Sequence, residues 1–188
     1  TENTYETPAG KRTWLARLLP GLVFYTNIIR VVLWSASYAK KGKLDGSQWS
    51  RASIEIVDGA EKAGGVIRAD NLDSFRSLKK PCVFVGNHMS TLETFSLPCM
   101  IQPFRPVTFI VKESLVSYPV FKHIMRSRNP VVVTRKNPRL DLKTMLTEGT
   151  ARLKQGMSLI VFPQTTRMLK FDPDKFNSIG VKIKKKAD

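Results

Sequence analysis

Short apolar segments alternate with helical patterns through most of this chain of 188 residues. Strands and helices that alternate at this spacing favour an α/β fold, with a largely parallel central sheet flanked by helices. In such a sheet, ligands gather at the carboxyl ends of the strands. The predicted strands are residues 66–69, 82–86, 107–111, 131–134 and 158–162, and the helices predicted between them are residues 91–100, 115–125 and 141–154.

An apolar and basic segment, residues 1–45, precedes this pattern. Its first ten residues are polar and predicted to be loose, and a break in the apolar part is expected at Pro20-Gly21. The longest run without charge, residues 18–29, is shorter than the roughly 18–20 residues that a spanning helix needs. Flanking lysines and arginines and several amphipathic rings favour an interfacial helical hairpin or bent helix at the membrane. The alternative is a helix pair buried on the core of the domain.

The remainder, residues 46–188, is predicted to form the α/β domain, beginning with a helix at residues 48–62. Lys and Arg outnumber Asp and Glu by 31 to 15, so the formal net charge is +16. This excess attracts polyanions, namely nucleic acid, an anionic membrane or phosphorylated small molecules. The chain carries no familiar nucleic-acid-binding motif, so a nucleic-acid-binding module is the weaker alternative. Its cysteines, Cys82 and Cys99, predict neither a disulfide framework nor a metal site and fit a reducing compartment.

His88 follows the predicted strand at residues 82–86. Imidazole has an unperturbed pKa of about 6.5, which suits proton transfer near neutral pH. The carboxylate of Glu93 could accept from one nitrogen of His88 and leave the other free to take a proton. Ser90 and Glu93 also form a capping-box pattern, in which Glu93 would bond to the Ser90 backbone N–H. The two roles are compatible because a carboxylate has two oxygens.

Arginines follow two further predicted strands. Arg135 comes after residues 131–134, and Arg167 lies in the turn after residues 158–162. A guanidinium group binds phosphate through a rigid, bidentate fork. Because the carboxyl ends of parallel strands share one edge of a sheet, one pocket is expected to hold His88, Arg135 and Arg167.

Three blocks of residues, in order along residues 65–188, resemble the glycerolipid acyltransferases of the lysophosphatidic acid acyltransferase type. The blocks of that family read Asn-His-x4-Asp, Lys-x-x-Leu-x3-Pro followed by a strand and an arginine, and Phe-Pro-Glu-Gly-Thr-Arg. A later Phe-Lys-x-Gly element is loosely matched at residues 176–180. The matching residues are Asn87, His88 and Glu93 in the first block, Lys112, Leu115, Pro119 and Arg135 in the second, and Phe162, Pro163, Thr166 and Arg167 in the third.

The resemblance implies transfer of an acyl group from acyl-CoA or acyl carrier protein to a lysophospholipid hydroxyl, with lysophosphatidic acid as the expected acceptor in phospholipid synthesis. It makes His88 the general base and Glu93 its partner. The implied substrate-binding residues are Lys112, Arg135, Thr166 and Arg167. No metal ion or bound cofactor is expected. The implied location is peripheral or monotopic, on the cytoplasmic face of an anionic membrane.

The third block departs from the family pattern at two positions. Gln164 replaces Glu, which keeps hydrogen bonding but removes a negative charge. Thr165 replaces Gly, and a β-branched residue disfavours the positive φ that Gly permits, so a different turn is expected. A catalytically altered, lipid-binding relative is therefore an alternative function. Because the resemblance places the family's next buried strand beyond Asp188, we also expect the sheet to be truncated at the C-terminus of this chain.

Overall fold

The computed structural model describes residues 3–164, 166–168, 170 and 172–187. The chain divides into two compact units. Unit 1 is Thr1–Lys79 with Phe95–Phe104, and unit 2 is Lys80–Thr94 with Arg105–Asp188. The domains predicted at residues 1–45 and 46–188 stay a prediction, and the compact units have other bounds.

Unit 1 is mainly helical. Its longest helices begin where the local sequence favours a helix start: Pro20 is the first residue of one, and the Asp45 side chain caps the other by accepting from the Gln48 backbone N–H at 2.8 Å. Its elements are β1 (Tyr5–Glu6), α1 (Trp14–Leu18), α2 (Pro20–Lys40), α3 (Gly46–Lys62), β2 (Arg68–Ala69) and α4 (Asp73–Ser77).

Helices α2 and α3 pack against each other. A side chain at Gly59 of α3 would collide with Asn27, so glycine permits the close approach of α2 at this point. Near it, Arg30 pairs with Glu55 at 2.9 Å. The predicted break at Pro20 is present, because α1 ends at Leu18 and α2 begins with Pro20, which leaves Leu19 between the two helices.

One face of α2 carries large apolar side chains that remain exposed. Leu22, Tyr25, Ile29 and Leu33 are 53%, 64%, 57% and 55% exposed, and their spacing of three or four residues places them in one stripe. Helix α2 is therefore partly buried, at Val31, Ser35 and Ala36, and carries an exposed apolar stripe. The interfacial segment and its alternative, a helix pair buried on the core of the domain, both stay predictions. Among the described residues, α2 is also the one helix that is long and apolar enough, by length and composition, to cross a membrane. The longest run without charge, residues 18–29, is shorter than α2 because the helix continues through Arg30 to Lys40.

The strand predicted at residues 66–69 belongs to a different sheet from the one expected, and this part of the prediction was wrong. Only Arg68–Ala69 of this segment form a strand, β2, and β2 pairs antiparallel with β1. The N-terminal residues reach β2 because Tyr5 and Thr7 donate hydrogen bonds to the buried carboxylate of Glu61, at 2.5 and 2.7 Å. Residues 5–7, predicted to be loose, are therefore held by contacts with residues more than 50 positions away.

Unit 2 contains the predicted parallel sheet, which confirms the α/β fold class. The elements from here to the C-terminus are β3 (Val83–Val85), α5 (Leu92–Ile101), β4 (Val107–Lys112), α6 (Phe121–Ser127), β5 (Val131–Val133), α7 (Pro138–Lys154), β6 (Ser158–Val161) and α8 (Ile179–Ala187). The four strands of the parallel sheet lie in the order β3-β6-β4-β5, and every neighbouring pair is parallel. Residues from Phe95 onward in α5 belong to unit 1.

The core of unit 2 lies between the sheet and the helices α7 and α8. Its fully buried members include Val131 of β5, Leu159 of β6 and Ile183 of α8, none of which is measurably exposed. Residues 115–125, predicted to form one helix, instead form a 3₁₀ turn at Glu113–Val116 and the separate helix α6. Pro119 explains the interruption because it cannot continue a helix, and Val120 after it has a φ of 66°.

Candidate active site

The carboxyl edge of the parallel sheet collects the predicted site residues. His88 follows β3, Arg135 follows β5, Thr166 and Arg167 follow β6, and Lys112 is the last residue of β4. Because β6 lies next to β3, the loops that carry His88 and Arg167 leave from neighbouring strands.

The segment after β6 holds His88 through three contacts. The imidazole stacks on Phe162, with ring centroids 4.4 Å apart and planes inclined by 18°. The His88 backbone N–H donates to Oε1 of Gln164 at 2.8 Å, and its carbonyl accepts from the Met168 backbone N–H at 3.0 Å. The Gln164 side chain is only 1% exposed, so it is buried beneath the loop that carries His88. The segment after β6 therefore contacts both the imidazole and the backbone of His88.

Glu93 contacts both His88 and the backbone before α5. Its Oε2 lies 3.7 Å from Nδ1 of His88, which is ion-pair range but longer than a hydrogen bond. Its Oε1 accepts from the backbone N–H groups of Met89 and Ser90, at 3.0 and 2.8 Å. The capping role and the proximity to His88 occur together in one carboxylate.

The surroundings of His88 favour its neutral form. Burial lowers the pKa of His88, the carboxylate of Glu93 raises it, and the positive charges of Arg167 and Arg135 lower it, with a net lowering. A neutral imidazole at pH 7 is able to accept a proton. Nδ1 is buried and has no hydrogen-bond partner among the described residues, and Oε2 of Glu93 lies 3.7 Å from it.

The two arginines are placed in different ways. Arg167 is exposed, and its Nη1 donates to the hydroxyl of Thr91 in the loop that leads to α5. Arg135 is exposed in a left-handed backbone conformation with a φ of 60°. Its backbone N–H donates to Oδ2 of Asp141 at 2.7 Å, while the Thr134 N–H donates to Oδ1 at 2.8 Å. Asp141 thus holds the turn that presents Arg135 at the edge of the sheet.

Lys112 and Thr166 are exposed at the same edge. Within the described residues, neither side chain makes a hydrogen bond or ion pair with His88, Glu93 or the two arginines. Their predicted roles stay predictions, as do the catalytic roles of His88 and Glu93. The expected change of turn at Thr165 lies outside the described residues.

Two positioning residues are absent from the predicted site. Gln164 was singled out only as a departure from a family pattern, and its contact with His88 spans 76 positions in sequence. Asp141 was placed at the start of a helix, without a link to Arg135. Burial raises the pKa of Asp141, but the backbone N–H groups of Thr134 and Arg135 outweigh this and lower it overall, so the carboxylate stays ionised. In the described part of the chain, no group of three or more His, Cys, Asp or Glu residues is arranged to hold a metal ion.

The fold and the site together describe an α/β protein with a histidine–carboxylate pair and two arginines at the carboxyl edge of a parallel sheet. The family model for acyltransferases matches residues 66–182, which is more than half of the chain. The chain belongs to this acyltransferase family, and the resemblance identified from the three sequence blocks is confirmed.

Curated relatives support the same assignment. A 1-acyl-sn-glycerol-3-phosphate acyltransferase of Pseudomonas aeruginosa is 32% identical over 105 residues, covering 56% of this chain and 40% of the relative. A protein of the same name from Cocos nucifera is 31% identical over 143 residues, covering 75% of this chain and 43% of the relative. The chain therefore spans about two fifths of the length of these relatives.

A solved structure has the same fold. It is the 1-acyl-sn-glycerophosphate (LPA) acyltransferase PlsC from Thermotoga maritima, which superposes with a TM-score of 0.56 at 22% sequence identity. The match covers 92% of this chain and 70% of that one. At this level of identity the likeness establishes the architecture and leaves the chemistry to be argued from the residues of this chain.

Proposed function

We propose that this chain transfers an acyl group from a thioester donor to the hydroxyl of a lysophospholipid, with lysophosphatidic acid as the acceptor. The observation that carries the proposal is the pairing of His88 with Glu93, 3.7 Å apart, at the carboxyl edge of the sheet. The names of the curated relatives support the reaction and the acceptor.

In this reaction His88 is the general base. Glu93 faces Nδ1 and favours the tautomer that carries its proton there, which leaves Nε2 to take the proton of the acceptor hydroxyl. The acceptor oxygen forms a bond to the thioester carbonyl carbon as that proton moves. The carbon–sulfur bond then breaks, and the departing thiolate takes the proton back from the imidazolium ion. Positioned acid–base groups contribute roughly 10²–10⁴-fold to such rates.

Arg135 and Arg167 would bind the phosphate of the acceptor. Both are exposed at the strand ends, and both are close enough to His88 for their charges to lower its pKa. A doubly charged phosphate held by two guanidinium groups would bring the neighbouring hydroxyl to His88. Lys112 and Thr166 supply a further cation and a hydroxyl at the same edge.

The donor is acyl-CoA or acyl carrier protein, since either presents the required thioester. No metal ion or bound cofactor takes part in the proposed steps. The protein would act at the cytoplasmic face of an anionic membrane in phospholipid synthesis. Its net charge of +16 and the exposed apolar stripe of α2 support contact with such a surface.

The test is an acyl-transfer assay with purified protein, acyl-CoA or acyl carrier protein as donor, and a panel of lysophospholipids. We expect transfer to lysophosphatidic acid and a loss of at least about 10²-fold in kcat for His88→Ala. The second histidine offers a matched control, and His123→Ala should retain transfer. Full activity in His88→Ala would refute the role of His88.

A protein that binds lysophosphatidic acid but transfers to no acceptor would instead be a catalytically altered, lipid-binding relative. Binding to oligonucleotides without binding to anionic vesicles would favour the nucleic-acid-binding alternative. Neither alternative is favoured by a contact of the described residues.

A further inference from the structure

A run of exposed cations surrounds Arg135 in unit 2. Arg135, Lys136, Arg139 and Lys143 are all exposed in the loop after β5 and the first two turns of α7. In the part of the chain that the structure describes, none of these four forms an ion pair. We call residues 135–143 the 135–143 segment. Its surface offers concentrated positive charge, and the carboxylate of Asp141 interacts electrostatically with one of the four cations, Arg135.

The one acidic residue of the segment points inward. Asp141 is 7% exposed, and its carboxylate accepts from two backbone N–H groups and from the hydroxyl of Thr134 at 3.1 Å. The negative charge is therefore used to hold the loop and does not reach the surface. The exposed charged side chains of the 135–143 segment are therefore all cationic.

Apolar side chains stand among these cations. Leu140 and Leu142 are 51% and 38% exposed although they begin an otherwise well-packed helix. At about 3.6 residues per turn, Arg139, Leu142 and Lys143 share one face of α7, and Leu140 borders it. The exposed part of each leucine gains no free energy of burial in water, whereas it does gain that free energy when it enters a lipid headgroup region.

We infer that the 135–143 segment is a membrane-contacting element of unit 2 that binds the surface of an anionic bilayer. The lysines and arginines would face lipid phosphates, and Leu140 and Leu142 would enter the boundary between headgroups and acyl chains. The inference rests on the proposed function in one respect, because a membrane-borne acceptor would reach Arg135 directly from this surface. Nucleic acid is a poorer partner, since the segment has no aromatic side chain to stack on a base.

The test compares binding to vesicles of phosphatidylcholine alone with binding to vesicles that also contain phosphatidylglycerol. The variant Lys136→Gln/Arg139→Gln/Lys143→Gln leaves the predicted site residues intact. Because each lost cation weakens the attraction to an anionic surface, the preference for anionic vesicles should fall at least about tenfold. Leu140→Ser/Leu142→Ser should weaken binding to both kinds of vesicle.

Helix α8 offers a matched control, because Lys182, Lys185 and Lys186 are exposed there. The variant Lys182→Gln/Lys185→Gln/Lys186→Gln loses the same charge and should keep most of the preference. An equal loss in the two triple variants would overturn the proposal, because it would show that only total charge matters. Unchanged vesicle binding with weakened oligonucleotide binding in the 135–143 variant would overturn it as well. Circular dichroism and the melting temperature establish that each variant is folded.

Activity separates this proposal from the proposed function. With a short-chain lysophosphatidic acid that is dissolved as monomers, the 135–143 variants should transfer at the rate of the unmodified protein. With the acceptor in anionic vesicles, the transfer rate of the same variants should fall by the same factor as their vesicle binding. If the unmodified protein transfers to neither form, the proposed function fails, while the vesicle measurements still decide the role of the segment.

Discussion

Glu93 holds the backbone before α5 and also faces His88, and one substitution separates these contributions. Glu93→Gln keeps an oxygen that can accept from the backbone N–H groups of Met89 and Ser90 but removes the negative charge. We expect the melting temperature to stay close to that of the unmodified protein and kcat to fall by about 10²-fold or more. The measurements are thermal unfolding and steady-state kinetics.

Glu93→Ala is the comparison, because it removes both the acceptor and the charge. It should lose about 0.5–2 kcal/mol of stability in addition to activity. If Glu93→Gln is as active as the unmodified protein, the carboxylate only caps the helix and does not assist His88.

Substitution of Arg167 should change the pH dependence of kcat/KM. Its charge lowers the pKa of His88, so Arg167→Gln should raise that pKa. Because the base must be neutral, kcat/KM falls as pH drops through this pKa, and the acid limb of the profile should therefore move to higher pH in the variant. The KM for the acceptor should rise more than the KM for the acyl donor, since the lost group would bind the acceptor phosphate.

The exposed Lys170→Gln change is a control for loss of one positive charge nearby in sequence. It should leave the acid limb and both KM values nearly unchanged. Equal increases in the two KM values of Arg167→Gln would contradict a role in binding the acceptor.

Helix α8 packs closely on β3 at Gly180. A Cβ atom at Gly180 would lie 2.7 Å from Cγ2 of Val85 and 3.4 Å from Cγ1 of Val83. Gly180→Ala must therefore push α8 away from the strand that leads to His88, and we expect a loss of about 1–3 kcal/mol in the free energy of unfolding. Denaturant unfolding measures this loss.

Gly21→Ala is the matched control, because a Cβ at Gly21 meets nothing within 4 Å in helix α2. That variant should be neutral or slightly more stable, since alanine is the better helix former. Equal stability of the two variants would show that α8 does not pack tightly on β3.

The elements that the sequence predicted well are those specified by their own residues. The strands in the parallel sheet were found within one or two residues because each is a short apolar run. Errors occurred where distant residues decide the structure. Residues 68–69 pair with residues 5–6, and Tyr5 donates a hydrogen bond to Glu61. No local sequence pattern predicts this pairing. The same reason applies to Gln164, because its hydrogen bond with the His88 backbone joins residues 76 positions apart and has no local sequence pattern.

At the scale of the whole molecule, positive charge and exposed apolar surface occur together in one chain. The net charge of +16 supplies long-range attraction to an anionic membrane, which weakens with salt because surface charges are screened. In the proposed membrane contact, the apolar stripe of α2 would supply a contribution that salt does not weaken. The two contributions can therefore be separated by measuring vesicle binding at low and high ionic strength.

Substitutions in the α2 stripe should abolish the salt-resistant part of vesicle binding. Leu22 and Ile29 are 53% and 57% exposed, and burying such side chains in a membrane interface stabilises binding by about 1 kcal/mol or more each. Leu22→Ser/Ile29→Ser should therefore bind neutral vesicles at least about tenfold more weakly, with little change in stability. The control is Ile54→Ser/Val66→Ser, which removes side chains that are 55% and 77% exposed outside α2. If the control variant loses as much binding, the stripe is not the surface that meets the membrane.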